Sequence, residues 1–137
     1  MVLDTNVASA LMLDEPNANI VRWLDTLPPE SVWLTSITVF ELRYGIERLA
    51  EGRHRRQLED AFDRVLNFGF QNRILPLDAD AAAAAASIAA MRKRTGKSGE
   101  LRDTLIAGIV ISSRADLATR NVRHFQDLDM RVVDPLG

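Results

Sequence analysis

A chain of 137 residues with 17 Lys+Arg against 19 Asp+Glu, 47% hydrophobic and 26% charged, has the size and balance of one globular domain, 1–137, able to bury its own core. It contains no cysteine and only two histidines, His54 and His124, which excludes disulfides, a thiol nucleophile, a cysteine zinc site and any centre needing three histidines. No apolar run approaches the ~20 residues of a membrane helix and no basic leader opens the sequence, so the expected location is the cytoplasm.

The first element is a short strand, Val2-Leu3, ending at Asp4. Thr5 or Asn6 then caps a helix through Ala8, Leu11 and Met12, which Asp14-Glu15-Pro16-Asn17 breaks. Ile20, Val21, Trp23 and Leu24 follow at helical spacing until Pro28-Pro29. Val32-Trp33-Leu34 reads as a buried strand, Thr38 to about Ala50 as a helix with Gly52 at its stop, and Arg53 to Phe68 as another helix with Leu58, Phe62, Val65 and Leu66 on one stripe. Ile74-Leu75-Pro76-Leu77 gives a brief strand or crossing. Asp78 or Asp80 caps a helix built on Ala81 to Ala86, where six small, strongly helix-forming side chains permit close packing. After the loop bracketed by Gly96 and Gly99 comes an apolar helix, Arg102 to Arg114, then the strands Leu117-Ala118-Thr119 and Met130-Arg131-Val132-Val133. Short apolar strands alternating with helices predict an α/β fold with a mostly parallel sheet covered by helices.

In such a sheet ligands collect at the carboxyl ends of the strands. Asp4 stands there after the first strand, Thr35, Ser36 and Thr38 after the second with Glu41 one turn further, Asp103 at the start of the apolar helix, and Thr119, Arg120 and Asn121 after the fourth strand. Each has an ordinary structural alternative. Asp4 suits a cap or turn, Thr38 to Glu41 matches a capping box, and Asp103 and Asn121 each suit a helix cap. Their common placement favours a site. Clustered carboxylates raise one another's pKa and call for a cation, and oxygen ligands suit Mg²⁺ or Mn²⁺, the metals of phosphoryl chemistry.

Four segments, in order, resemble the motifs of the PIN-domain family. Val2-Leu3-Asp4-Thr5-Asn6 resembles its opening motif, and Ser36 through Glu41-Leu42 to Gly45 resembles the second. Asp103-Thr104-Leu105-Ile106-Ala107 resembles the third, and Leu117 to Phe125 resembles the fourth, with the ending Val132-Val133-Asp134-Pro135 also similar. The nearest branch is the VapC/FitB-like toxins of toxin–antitoxin pairs. The resemblance implies a three-layer α/β/α sandwich and a metal-dependent endoribonuclease using a Mg²⁺- or Mn²⁺-activated water. Asp4, Glu41 and Asp103 match the family's metal-binding acids. Asn121 falls where many members carry a fourth acid, and an amide there brings no charge. Thr5, Asn6, Ser36 and Thr119 are candidates to orient the carboxylates.

The charge of −2 says little against a nucleic-acid partner, because distribution matters more than the sum. Arg53-His54-Arg55-Arg56 reads as a solvated helix face. Arg92, Lys93, Arg94, Lys97 and Arg102 lead up to Asp103 and are the candidates for RNA phosphate contacts. The resemblance further implies a homodimer and a small antitoxin docking on the helix pair Asn6–Leu27 or the helices around Thr38–Phe68, with DNA bound only through that antitoxin. Two other readings remain open: a non-catalytic PIN-like binding module, and a phosphatase with Asp4 as nucleophile, disfavoured because the residue two positions on is Asn6.

Overall fold

The computed structural model describes residues 1–137. Its five strands are two residues each: β1 (Val2–Leu3), β2 (Leu34–Thr35), β3 (Ile74–Leu75), β4 (Leu117–Ala118) and β5 (Val132–Val133). All pair in parallel. Val2 and Leu3 lie opposite Leu117 and Ala118, which lie opposite Val132 and Val133, while Leu34 and Thr35 face Ile74 and Leu75. A bridge between Val2 and Trp33 joins the two ladders, with the Leu3 N–H donating to the Trp33 carbonyl at 2.9 Å, so the spatial order is β3-β2-β1-β4-β5.

Six helices cover this sheet: α1 (Thr5–Ala10), α2 (Ala18–Asp25), α3 (Ser36–Glu47), α4 (Arg53–Arg64), α5 (Ala79–Arg94) and α6 (Leu101–Ser112). The pleat sends alternate strand residues to opposite sides. Leu3, Leu34 and Ala118 pack with Val7, Ile20, Leu42, Ile46 and Phe62 from α1 to α4. Val2 and Leu117 pack with Ile88, Ile106, Ala107 and Val110 from α5 and α6, and with Phe125. Each large side chain so enclosed contributes roughly 1.5–3 kcal/mol. The result is the expected three-layer sandwich, and no helix is long and apolar enough to cross a membrane.

Four local expectations are corrected. Gly52 does not stop α3, which ends at Glu47 with Arg48 as its C-cap; it precedes α4. The predicted helix from Arg53 to Phe68 is continuous to Gly69, but only Arg53–Arg64 are α-helical and Val65–Gly69 form a π-helix. The capping box also shifts: Thr35 caps α3, its hydroxyl accepting from the Thr38 N–H at 3.1 Å, so Glu41 lies in the second turn with no capping duty. Asp103 is likewise not a cap, because Glu100 takes that position and accepts from the Asp103 N–H at 3.3 Å.

The alanine run acts as a contact surface. A Cβ on Gly108 would fall 2.5 Å from the Ala81 carbonyl oxygen and 2.7 Å from the Ala85 Cβ, so α5 and α6 touch almost backbone to backbone. That contact fixes α6, which carries Asp103 in its first turn. At its other end α5 closes with Gly96 at φ 71°, the Lys97 N–H donating to the Arg92 carbonyl at 2.8 Å and the Gly96 N–H to Lys93 at 3.3 Å.

A candidate metal centre at the strand ends

Asp4 leaves β1 at its carboxyl end and is buried. One carboxylate oxygen accepts from the Thr5 N–H at 2.8 Å, capping α1, and the other from the Thr119 hydroxyl at 2.7 Å. Thr119 in turn accepts from the Asn121 N–H at 3.0 Å, which orients its proton toward Asp4. Asp4 takes part in none of the chain's ion pairs. Burial pushes its carboxyl above the usual carboxylate range. The Thr119 and Thr5 hydrogen bonds pull the other way, and the charges of Asp103 and Glu41 push it up further.

Glu41 is held from two sides. The Thr5 hydroxyl donates to Oε1 at 2.8 Å, and Arg102 Nη1 stands 3.5 Å from Oε2. Thr5 also lies 2.9 Å from the Thr38 hydroxyl, so a row of hydroxyls runs from the end of β2 to the Glu41 carboxylate. Asp103 Oδ2 lies 2.8 Å from His124 Nδ1.

Several expected site residues therefore meet at one edge. Thr5 and Thr119 touch the carboxylates directly. Asn6 accepts from the Arg120 N–H at 3.4 Å and ties α1 to the segment after β4. The exposed Asn121 reaches the centre through its N–H on Thr119, and its side chain does not cap the 3-10 turn Val122–Phe125. Ser36 does not orient a carboxylate: its hydroxyl accepts from the Leu77 N–H at 3.0 Å and joins the ends of β2 and β3. Among the proposed RNA contacts, Lys93, Arg94 and Lys97 are exposed, while Arg102 turns toward Glu41 and Glu100.

Arg92 overturns its expected role as a phosphate contact. Its side chain is 6% exposed, and the guanidinium donates to both oxygens of Asp127 at 2.9 and 3.0 Å, to the Thr104 hydroxyl at 3.1 Å and to the His124 carbonyl at 2.8 Å. It thus fastens α5 to the start of α6 and to the turn bearing His124. The hydrogen bond from Arg92 holds the Asp127 carboxyl below the usual range. Position alone could not reveal this, because Arg92 sits in a run of three basic residues.

The donor set fits a hard cation. It consists of carboxylate oxygens, and the buried Asp4 carboxylate has hydrogen-bond donors but no cationic partner inside the chain. The side chains are not drawn together into a ready-made ligand shell, since Glu41 is engaged by Thr5 and Arg102 and Asp103 by His124.

Short parallel strands between two helical layers, with three acids at the carboxyl edge, define a PIN-type α/β domain. The family described as PIN domain matches residues 1–130, and the chain belongs to that family. It is 36% identical to the toxin FitB of Neisseria gonorrhoeae (strain ATCC 700825 / FA 1090), over 98% of this chain and 97% of that protein. It is 31% identical to the VapC ribonuclease Y4jK of Sinorhizobium fredii (strain NBRC 101917 / NGR234), covering 98% and 96%. The solved structure of FitAB bound to an IR36 DNA fragment superposes with a TM-score of 0.88 at 35% identity, covering 99% of this chain and 95% of that one.

Proposed function

We propose that this chain is a metal-dependent endoribonuclease, the toxin of a toxin–antitoxin pair, acting in the cytoplasm. The observation that carries the reading is Asp4: a buried carboxylate at the sheet edge, facing Glu41 and Asp103, with hydroxyl and amide donors but no cation. Likeness to a VapC ribonuclease and to FitB, a toxin, supports the assignment.

Asp4, Glu41 and Asp103 would hold the Mg²⁺ or Mn²⁺. When bound, the metal supplies charge stabilisation at the scissile phosphate and acidifies water. Thr119 keeps Asp4 Oδ2 directed into the centre, and Thr5 does the same for Glu41 Oε1. One of these carboxylates, through an oxygen left free of the metal, would take the proton from the attacking water, and no serine, cysteine or histidine nucleophile is required. Asn121 offers a neutral amide at the rim, where it positions water or substrate without adding charge.

The partner reading rests on exposed apolar groups. A groove of about 300 Å³ among Leu11, Leu24, Leu27, Pro29, Val32 and Phe70 borders α1 and α2, and Phe40, Tyr44 and Phe68 stand exposed on α3 and after α4. A small antitoxin fits the first surface, and the stacked pair Phe40–Tyr44, ring centroids 6.1 Å apart, suits a homodimer contact. DNA would be engaged through the antitoxin.

The test is cleavage of a mixed RNA pool with Mg²⁺ or Mn²⁺, with and without EDTA, beside an Asp4→Asn/Asp103→Asn variant. Metal-dependent cleavage lost in the variant is the expected result. Equal cleavage by the variant would refute the site, and none by the unaltered protein would leave a binding module.

A further inference from the structure

A groove of about 660 Å³ opens beside Asp103, and none of its lining residues is hydrophobic. Its charges sort into engaged and free. Arg92 and Asp127 neutralise each other along one wall. Glu100 is engaged by Arg102 at 3.4 Å and by the Asp103 N–H. Lys97, in the loop after α5, and Arg123, on the 3-10 turn, line the groove, are exposed, and join none of the chain's ion pairs. The exposed Ser98 and Gln126 line the same groove.

The groove is also rigidly built. The loop lies directly on the Arg92 guanidinium, since a Cβ on Gly99 would overlap Arg92 Nη1. The opposite wall is pinned through the His124 carbonyl and Asp127. Two cations outside every ion pair, with uncharged donors and acceptors beside them and no hydrophobic side chain in the lining, match a nucleotide: phosphate contacts position it and base contacts specify it.

We infer that this groove binds the RNA nucleotide next to the scissile phosphodiester, with Lys97 and Arg123 holding its phosphates and Gln126 and Ser98 reading its base. The inference rests on the ribonuclease reading and adds to it a location for sequence preference.

Steady-state cleavage of unstructured mixed-sequence RNA 12-mers in Mg²⁺ tests it, at several salt concentrations, for the unaltered protein, Lys97→Ala/Arg123→Ala and Gln126→Ala. Arg56→Ala, on the exposed face of α4, serves as control. The double variant should raise KM about tenfold with kcat nearly unchanged, and flatten the dependence of log KM on log salt by about 0.7 for each phosphate that is no longer neutralised. Gln126→Ala should change which nucleotide stands beside the cut. If the unaltered protein cleaves while the double variant keeps its KM and salt slope, the groove lies off the RNA path and suits an acidic peptide instead. If the unaltered protein neither cleaves RNA nor binds it, by fluorescence anisotropy of the same labelled 12-mer, the ribonuclease reading falls and takes the groove with it.

Discussion

Asp127 rests against Arg92, both of its oxygens accepting from the guanidinium, and its carboxyl is held below the usual range. Asp4, the more deeply buried of the two, meets an amide, a hydroxyl and two neighbouring acids, and its carboxyl is pushed above that range. One region has its charge balanced by the chain; the other leaves it unbalanced. Removing a charge from water costs several kcal/mol unless a partner offsets it. A fold that leaves such a charge standing gives up stability there, and the offsetting charge must come from outside. The contrast separates a structural ion pair from a candidate metal centre without reference to any relative.

The sharpest way to break that contrast is Asp4→Asn. RNA cleavage should fall on the order of a thousandfold, since a metal ligand is removed. A thermal melt at pH 8 without metal should show Tm unchanged or higher, because a disfavoured charge has gone; a large drop in Tm would make Asp4 a structural carboxylate like Asp127. Arg92→Ala should do the reverse to the other region. It leaves Asp127 without its partner and frees the turn bearing His124, so the urea midpoint should drop by the equivalent of about 3 kcal/mol. The Asp127 carboxyl, followed by NMR, should return toward the ordinary range. Arg92→Lys should recover only part of this, lacking the fork that reaches both oxygens.

Thr119→Val is a milder test. It deletes the hydroxyl that helps keep Asp4 ionised, so metal affinity by calorimetry should weaken about tenfold while the fold is kept. The smallest effects are those of pH on stability, and they have opposite signs. The stabilisation from the depressed Asp127 carboxyl is complete above the ordinary carboxylate range and is lost as pH falls through its lowered pKa. Between about pH 5 and pH 2, urea unfolding should lose stability more steeply in the unaltered protein than in Asp127→Asn. The raised Asp4 carboxyl favours the fold when protonated and loses that advantage as pH rises through its pKa, so Asp4→Asn should flatten the decline above about pH 4.

Much of this arrangement is legible in the sequence, for definable reasons. Val2-Leu3, Leu117-Ala118 and Val132-Val133 are short apolar runs followed by polar residues, and parallel strands buried on both faces read that way. Asp4 and Thr119 follow such runs directly, so their meeting at one edge comes from topology alone. The caps are less legible. Thr35 and Thr38 both suit the start of α3, and only the tertiary placement of β2 selects Thr35. Arg92 defeats a reading by position because its charge is conspicuous while its burial depends on Thr104, His124 and Asp127, 12 to 35 residues away. His124, three residues after Asn121, lies close enough in sequence to approach the site although it reads as a surface histidine, and the structure makes it both: exposed and in contact with Asp103. Lys97 and Arg123 converge on one groove only because the loop after α5 and the turn after β4 are fastened to the same guanidinium.

The strand register has a consequence for folding. Val2 pairs with Leu117, and Asp4 receives its hydrogen bond from Thr119, 115 residues further on, so the centre joins segments far apart in the chain and β1 waits for β4. Pairings so distant in sequence close slowly, and no hairpin can shorten the wait. Until they close, Asp4 is without Thr119 and β1 without β4 and β5. The candidate centre is therefore completed by a long-range strand pairing rather than by the local helices around it.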